Sequence, residues 1–244
     1  KLRNAGIENV IMVDAAGWGQ DILGLAGVAQ TILDADTTGN TMFSGHMYCY
    51  GAPDEAGVKE RIDAYKNKNL CFCVGEFGWK HNPGTIPYQY IMSYAQENCA
   101  GWLAWSWYGN GAEGSYLAKG ELDLVNEDNS LKSPWGTDVA EQMKGATKVD
   151  FSGSGNNGNQ ATTKTEATTQ TKTEATTQAT TENNNNNNND NGSTSSNGGM
   201  YVNGSTLYAA DGTAFLMRGI NINHAWYKDR TTEAIKKSGE LGSN

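Results

Sequence analysis

Short apolar runs alternate with amphipathic stretches along the first 143 residues of this chain. Lys1–Gly6 reads as the last turns of a helix closed by glycine, with Lys1 and Arg3 at the favourable end of the helix dipole. Val10–Ala16 (V-I-M-V-D-A-A) is an apolar run of strand length, and Gln20–Asp34 is amphipathic enough for a helix. Asn40–Gly51 predicts a second strand. Alternation puts Ser44, His46 and Tyr48 on one of its faces, and Met47 and Cys49 on the other. Glu55–Lys66 predicts a helix, with Val58, Ile62 and Tyr65 at helical spacing and charges elsewhere. Leu70–Phe77 (L-C-F-C-V-G-E-F) holds six apolar residues and suits a strand buried on both faces. Pro87–Asn98 follows as a helix, Gly101–Gly109 as a strand, Leu122–Val125 as a short extended piece and Pro134–Met143 as a helix. Strand–helix alternation of this kind predicts a parallel α/β sheet with crossovers. It reaches four strands by residue 110, half the number an eight-stranded barrel requires.

The pattern then stops. Residues 152–199 are rich in Thr, Asn, Ser and Gly, repeat the octad T-K-T-E-A-T-T-Q at 163–170 and 171–178, and contain seven consecutive asparagines at 183–189. Such sequence has too little apolar surface to form a core, so a disordered tether is expected, with poly-Asn aggregation as the alternative. Periodicity resumes at Met200. Asn203-Gly204 and Asp211-Gly212 are turn signals, Phe215–Ile222 reads as a buried strand and Thr231–Leu241 as a helix. Three regions follow from this: 1–151, a linker over 152–199, and 200–244.

Charge and cysteine content narrow the chemistry. Across 244 residues the net charge is -9, and no basic patch suited to nucleic acid or an anionic membrane is evident. No apolar run reaches the roughly 18 residues that would span a bilayer. Cys49, Cys71, Cys73 and Cys99 fit no metal spacing, and neither a metal nor a cofactor is expected. Cys71 and Cys73 share one strand face, opposite to Glu76, and are expected to pack against helices as small apolar residues. The opening K-L-R-N-A-G, without an initiator Met or signal peptide, reads as part of a longer protein.

Candidate chemistry collects at strand ends. Glu76 stands between Gly75 and Gly78 where its apolar run stops, which places the carboxylate at the C-terminal mouth of the strand. In barrels of alternating strands and helices that mouth carries the active site, although a strand-end Glu can also simply pair with a Lys or Arg. His46 and Tyr48 read equally as site residues or as a hydrogen-bonded core pair. Trp18, between glycines, reads as a sugar platform or a loop anchor. Trp102, Trp105, Trp107 and Tyr108 fall within nine residues. Flat rings of this kind suit the C–H face of a sugar, while Trp102 reads as plain core. His224 and Trp226 read as a binding pair or as the packing of a strand exit.

Taken together, Lys1–Gln20, His46-Met-Tyr48, Gly75-Glu-Phe-Gly78, Gly101–Asn110 and Leu122–Trp135 resemble glycoside hydrolase family 5, most closely its bacterial endo-β-1,4-mannanases. The resemblance covers Lys1 to about Asp150 in order. It implies a (β/α)8 TIM barrel present as its C-terminal half, strands five to eight, and a secreted, cofactor-free retaining glycosidase that acts inside β-mannan chains as a monomer. Glu76 would be the nucleophile, His46 and Tyr48 the sixth-strand pair lining the site, and Trp105 the platform under the sugar at the cleavage point. The family's acid/base, a Glu in an Asn-Glu strand end, belongs to no strand of this chain. Residues 200–244 resemble the opening of the same kind of module, onto which only His224 and Trp226 carry over as site residues. The chain is therefore expected to hold the end of one catalytic module, a tether and the start of a second. A β-1,4-glucanase of the same family is the alternative within the class. A non-catalytic carbohydrate-binding or scaffold protein with a platform of Trp18, Trp105 and Trp107 is the alternative outside it.

Overall fold

The computed structural model of the chain describes residues 1–50, 52–81, 84–111, 113, 117–147 and 198–244. Nearly all of the expected linker, 152–199, lies outside the described residues. After a single 3-10 turn at Arg3–Ala5, closed by Gly6 in the left-handed conformation, come β1 (Ile11–Asp14), α1 (Ile22–Asp34), β2 (Thr41–Met47) and α2 (Glu55–Lys66). They are followed by β3 (Phe72–Phe77), a small antiparallel ribbon of β4 (Lys80–His81) and β5 (Gly84–Thr85), α3 (Tyr88–Glu97), β6 (Gly101–Ala104) and α4 (Trp135–Met143). The C-terminal segment adds a hairpin of β7 (Tyr201–Asn203) and β8 (Thr206–Tyr208), then β9 (Arg218–Ile220) and α5 (Thr231–Leu241).

Five strands form one parallel sheet in the order β1-β2-β3-β6-β9. The helices begin where side chains satisfy free amides. Asp21 caps α1 by accepting from the Gly24 amide at 3.1 Å, and Asp54 caps α2 by accepting from the Gly57 amide at 2.8 Å. Their apolar stripes bury Ile22, Leu25, Val58, Ile62 and Tyr65 in a core shared with Phe43, Phe72, Val74, Phe77 and Trp102. Trp102 is fully buried there, as its position in the sequence predicted.

A second, smaller cluster holds Met42, Cys71 and Cys73 against Val202, Leu207 and Phe215. This corrects the expectation for the two cysteines: they pack against the β7–β8 hairpin rather than against helices. Burial pushes the Cys71 thiol up to about 12, and the Cys73 thiol is raised further by the same cause.

The C-terminal segment also departs from the expectation of a separate body. β9 pairs in parallel with β6, Trp102 opposite Arg218 and Ala104 opposite Ile220. Asn40 accepts from the Val202 amide at 2.9 Å, and Asn69 accepts from the Ser205 amide at 3.1 Å. The segment thus continues the sheet begun by residues 1–147. All five strands of the sheet are shorter than predicted, β6 and β9 for reasons visible in their hydrogen bonds. β6 ends at Ala104 because bonding to β3 stops with the Trp105 amide on the Phe77 carbonyl at 2.8 Å, and the next amide, Ser106, donates to the Leu122 carbonyl instead. β9 spans Arg218–Ile220 because Phe215 is already engaged with Leu207, its amide donating to that carbonyl at 2.8 Å.

Candidate active site

Glu76 is the next-to-last residue of β3 and stands beside His46 in the β2–β3 register. Strict alternation is interrupted here. The pairing slips between Gly45 and His46, and again between Val74 and Phe77. Such irregularities turn side chains that a regular pleat would keep apart, and at this point Glu76, His46 and Tyr48 meet. Tyr48 donates its hydroxyl to Glu76 Oε1 at 2.8 Å. His46 Nδ1 lies 3.6 Å from Glu76 Oε2. Both His46 and Glu76 are about one-fifth exposed, so the group is open at one side and sheltered on the others.

Burial pushes the Glu76 carboxyl above its ordinary value of 4.5. His46 and the Tyr48 hydroxyl act against that rise, Asp14 adds to it and His81 opposes it. The His81 ring packs on Tyr48, with centroids 4.9 Å apart. Glycines leave the room this arrangement needs. Gly75 sits against the Ser44 side chain, and a Cβ on Gly19 (φ +78°) would land on the His46 ring.

The sequence reading missed Asp14, the last residue of β1. Its Oδ2 is 3.1 Å from His46 Nε2. The same signal that singled out Glu76, a carboxylate where an apolar run stops, was present in V-I-M-V-D-A-A. Asn221 was also missed. It follows β9 and donates from Nδ2 to the Gly75 carbonyl at 3.0 Å, bracing the backbone just before Glu76. An amide inside the run Phe215–Ile222 carries no comparable signal.

The remaining candidates stand further out. Trp105 follows β6, is half-buried, and is tied through its amide to the residue after Glu76. Trp18 is 91% exposed on the Gly17–Gly19 turn that lies over His46. Trp226 is exposed, and His224 shares a 2.8 Å hydrogen bond with Thr231 Oγ1 inside its own segment. Among the described residues, no hydrogen bond or ring contact joins Trp18, His224 or Trp226 to Glu76. Trp107 is buried, so the non-catalytic platform of Trp18, Trp105 and Trp107 does not exist as a surface. Glu121 is held by Lys80, and Asp123 by the Asn110 amide and side chain, so both carboxylates serve the loop after β6. Among the described residues, no His, Cys, Asp and Glu cluster suited to a metal is found, and no helix is long and apolar enough to cross a membrane.

Residues 1–111 match the family described as Cellulase (glycosyl hydrolase family 5). The mannan endo-1,4-beta-mannosidase of Salipaludibacillus agaradhaerens is 45% identical over 117 residues, covering 48% of this chain and 38% of that protein. The enzyme of the same name from Streptomyces lividans is 41% identical over 143 residues, covering 57% of this chain and 35% of that protein. Among solved structures, the beta-mannanase from Thermomonospora fusca superposes with a TM-score of 0.50 at 36% identity, covering 57% of this chain and 44% of that one. The chain spans less than half the length of each of these relatives. The parallel α/β sheet and the motifs at its strand ends agree with these matches: residues 1–111 are similar to glycosyl hydrolase family 5, and the relatives named here are mannan endo-1,4-beta-mannosidases.

Proposed function

We propose that this sequence is part of a secreted endo-β-1,4-mannanase in which Glu76 is the nucleophile of a retaining double displacement. In this reading residues 1–151 are the C-terminal half of a (β/α)8 catalytic barrel. β1, β2, β3 and β6 are its fifth to eighth strands, 152–199 are a linker, and 200–244 are the opening of a module of the same kind. The pairing of β9 with β6 supports the last point, because a closed barrel joins its first strand to its last.

The observation that carries the functional reading is the Tyr48–Glu76 hydrogen bond at a strand mouth, with His46 against the other carboxylate oxygen. A nucleophilic carboxylate must be ionised, aimed and partly sheltered from water. The Tyr48 hydroxyl fixes Oε1, and the His46 ring offsets the cost of burying charge at Oε2. Glu76 then attacks the anomeric carbon while a second carboxyl, roughly 5–5.5 Å away, protonates the leaving oxygen and later activates water. That second carboxyl belongs to a strand outside this sequence. Trp105, and further out Trp18, His224 and Trp226, line the sugar's path. Neither metal nor cofactor enters the chemistry. Secretion follows from a polymeric substrate too large to enter a cell.

The test uses the complete protein that contains this sequence, assayed on mannan and on carboxymethylcellulose with Glu76→Ala as the control. Mannan hydrolysis that falls to the no-enzyme level in the variant is expected. Preference for carboxymethylcellulose would assign the glucanase reading instead, and full activity of Glu76→Ala would remove Glu76 from the mechanism.

A further inference from the structure

His46 stands between two carboxylates from different strands. Its Nε2 is 3.1 Å from Asp14 Oδ2, and its Nδ1 is 3.6 Å from Glu76 Oε2. The ring cannot easily turn away. Its own amide donates to the Gly19 carbonyl at 2.6 Å, and the Gly19 backbone lies against the imidazole. A neutral imidazole has one N–H and one lone pair, so it can satisfy one carboxylate only by presenting the lone pair to the other. With both nitrogens protonated it is complementary to both.

We propose that Asp14 is a positioning residue of this site, which anchors His46 through Nε2 and keeps its ring turned toward Glu76. The Glu76 carboxylate is then held between the His46 ring on one oxygen and the Tyr48 hydroxyl on the other. The groups facing this chain of contacts are Asp14 from β1, His46 and Tyr48 from β2, Glu76 from β3 and His81 from β4. Asp14 is half-exposed, so its pull is that of a solvated ion pair and not of a buried one. The proposal deepens the reading of Glu76 as the nucleophile, but its test needs no sugar and no turnover.

The experiment follows the ¹⁵N signals of the three histidine rings of this chain by NMR as pH is varied, with His46→Asn used to assign the His46 signals. In the wild type, the His46 Nε2 signal is expected to be that of a nitrogen carrying a proton, held by Asp14. In Asp14→Asn the His46 ring signals move, Asp14→Glu restores most of the wild-type pattern, and Glu76→Gln changes it from the other side. A His46 Nε2 without a proton in the wild type, or ring signals unchanged by Asp14→Asn, overturns the proposal. The wild-type spectrum decides the question even if a variant does not fold. Inactivity of the complete enzyme on mannan would count against the nucleophile reading and leave this result standing.

Discussion

At the scale of single residues, the most heavily bonded carboxylate is far from the candidate site. Asp36 accepts from Arg3 Nε at 2.7 Å, from Arg3 Nη2 at 2.8 Å and from the Thr41 hydroxyl at 2.6 Å, and also from the Thr38 amide and hydroxyl. The Arg3 guanidinium and these hydrogen bonds hold its carboxyl well below the ordinary 3.8. A depressed carboxyl contributes stability that is fully present above its ordinary value and is lost as pH falls toward the folded one. Acid unfolding should therefore begin below about pH 4, where Asp36 is forced to protonate. Asp36→Ala leaves the half-buried Arg3 without its carboxylate partner and is expected to cost about 2 kcal/mol, read as a lower urea midpoint at neutral pH. Glu76 has the opposite sign. Its folded carboxyl lies above 4.5, so the stability it contributes is present below that value and is lost as pH rises through the folded one. Glu76→Gln keeps an acceptor for Tyr48 and removes the buried charge. The variant should melt higher than the wild type at neutral pH, a sign of a residue kept for chemistry rather than for stability.

Elements differ in how openly the sequence declares them. α2 was legible at both ends, because Val58, Ile62 and Tyr65 repeat at helical spacing and Asp54 supplies a cap. Asp54→Ala should cost about 1 kcal/mol and show as a lower melting temperature. Strand bounds were less legible, since an apolar run continues past the last ladder bond wherever the chain turns inside the core, as it does after Trp105. The meeting of Glu76 with His46 and Tyr48 was legible as residue types at strand ends, through the family motifs. The register slips that bring it about leave no mark in the sequence. For the cysteines, period-two alternation gave the shared face of Cys71 and Cys73 but not what covers it, because the hairpin comes from the far end of the chain. This arrangement has a chemical readout. At neutral pH a thiol reagent should label the exposed Cys99, and Cys49 more slowly, and spare Cys71 and Cys73. Val202→Asp places a charge in the hairpin core and should open both protected thiols to labelling. Unchanged protection would mean that the hairpin is not their cover.

For the whole molecule, a five-stranded parallel sheet has two edge strands, β1 and β9. A catalytic pair of carboxylates requires a second strand mouth facing Glu76, and none of the described strands offers one beside Asp14. Residues 1–244 expressed alone should therefore show no mannan hydrolysis above a Glu76→Ala control. Turnover clearly above that control would mean that a carboxylate of this chain acts as the acid, with Asp14 the first to examine.

The docking of the C-terminal segment also has a meaning in time. The Val202 amide and the Asn40 side chain that receives it are 162 positions apart, and Asn221 reaches Gly75 across 146. The β1–β2 and β2–β3 pairings join residues a few tens of positions apart. Chain closure over short distances comes first, and contacts of high sequence separation are the slow ones. Refolding should accordingly build the four strands of residues 1–147 before β9 arrives. Truncating Ile220 to Ala, at the end of the β6–β9 ladder, would then leave the main refolding rate nearly unchanged and accelerate unfolding, as for a contact formed after the transition state.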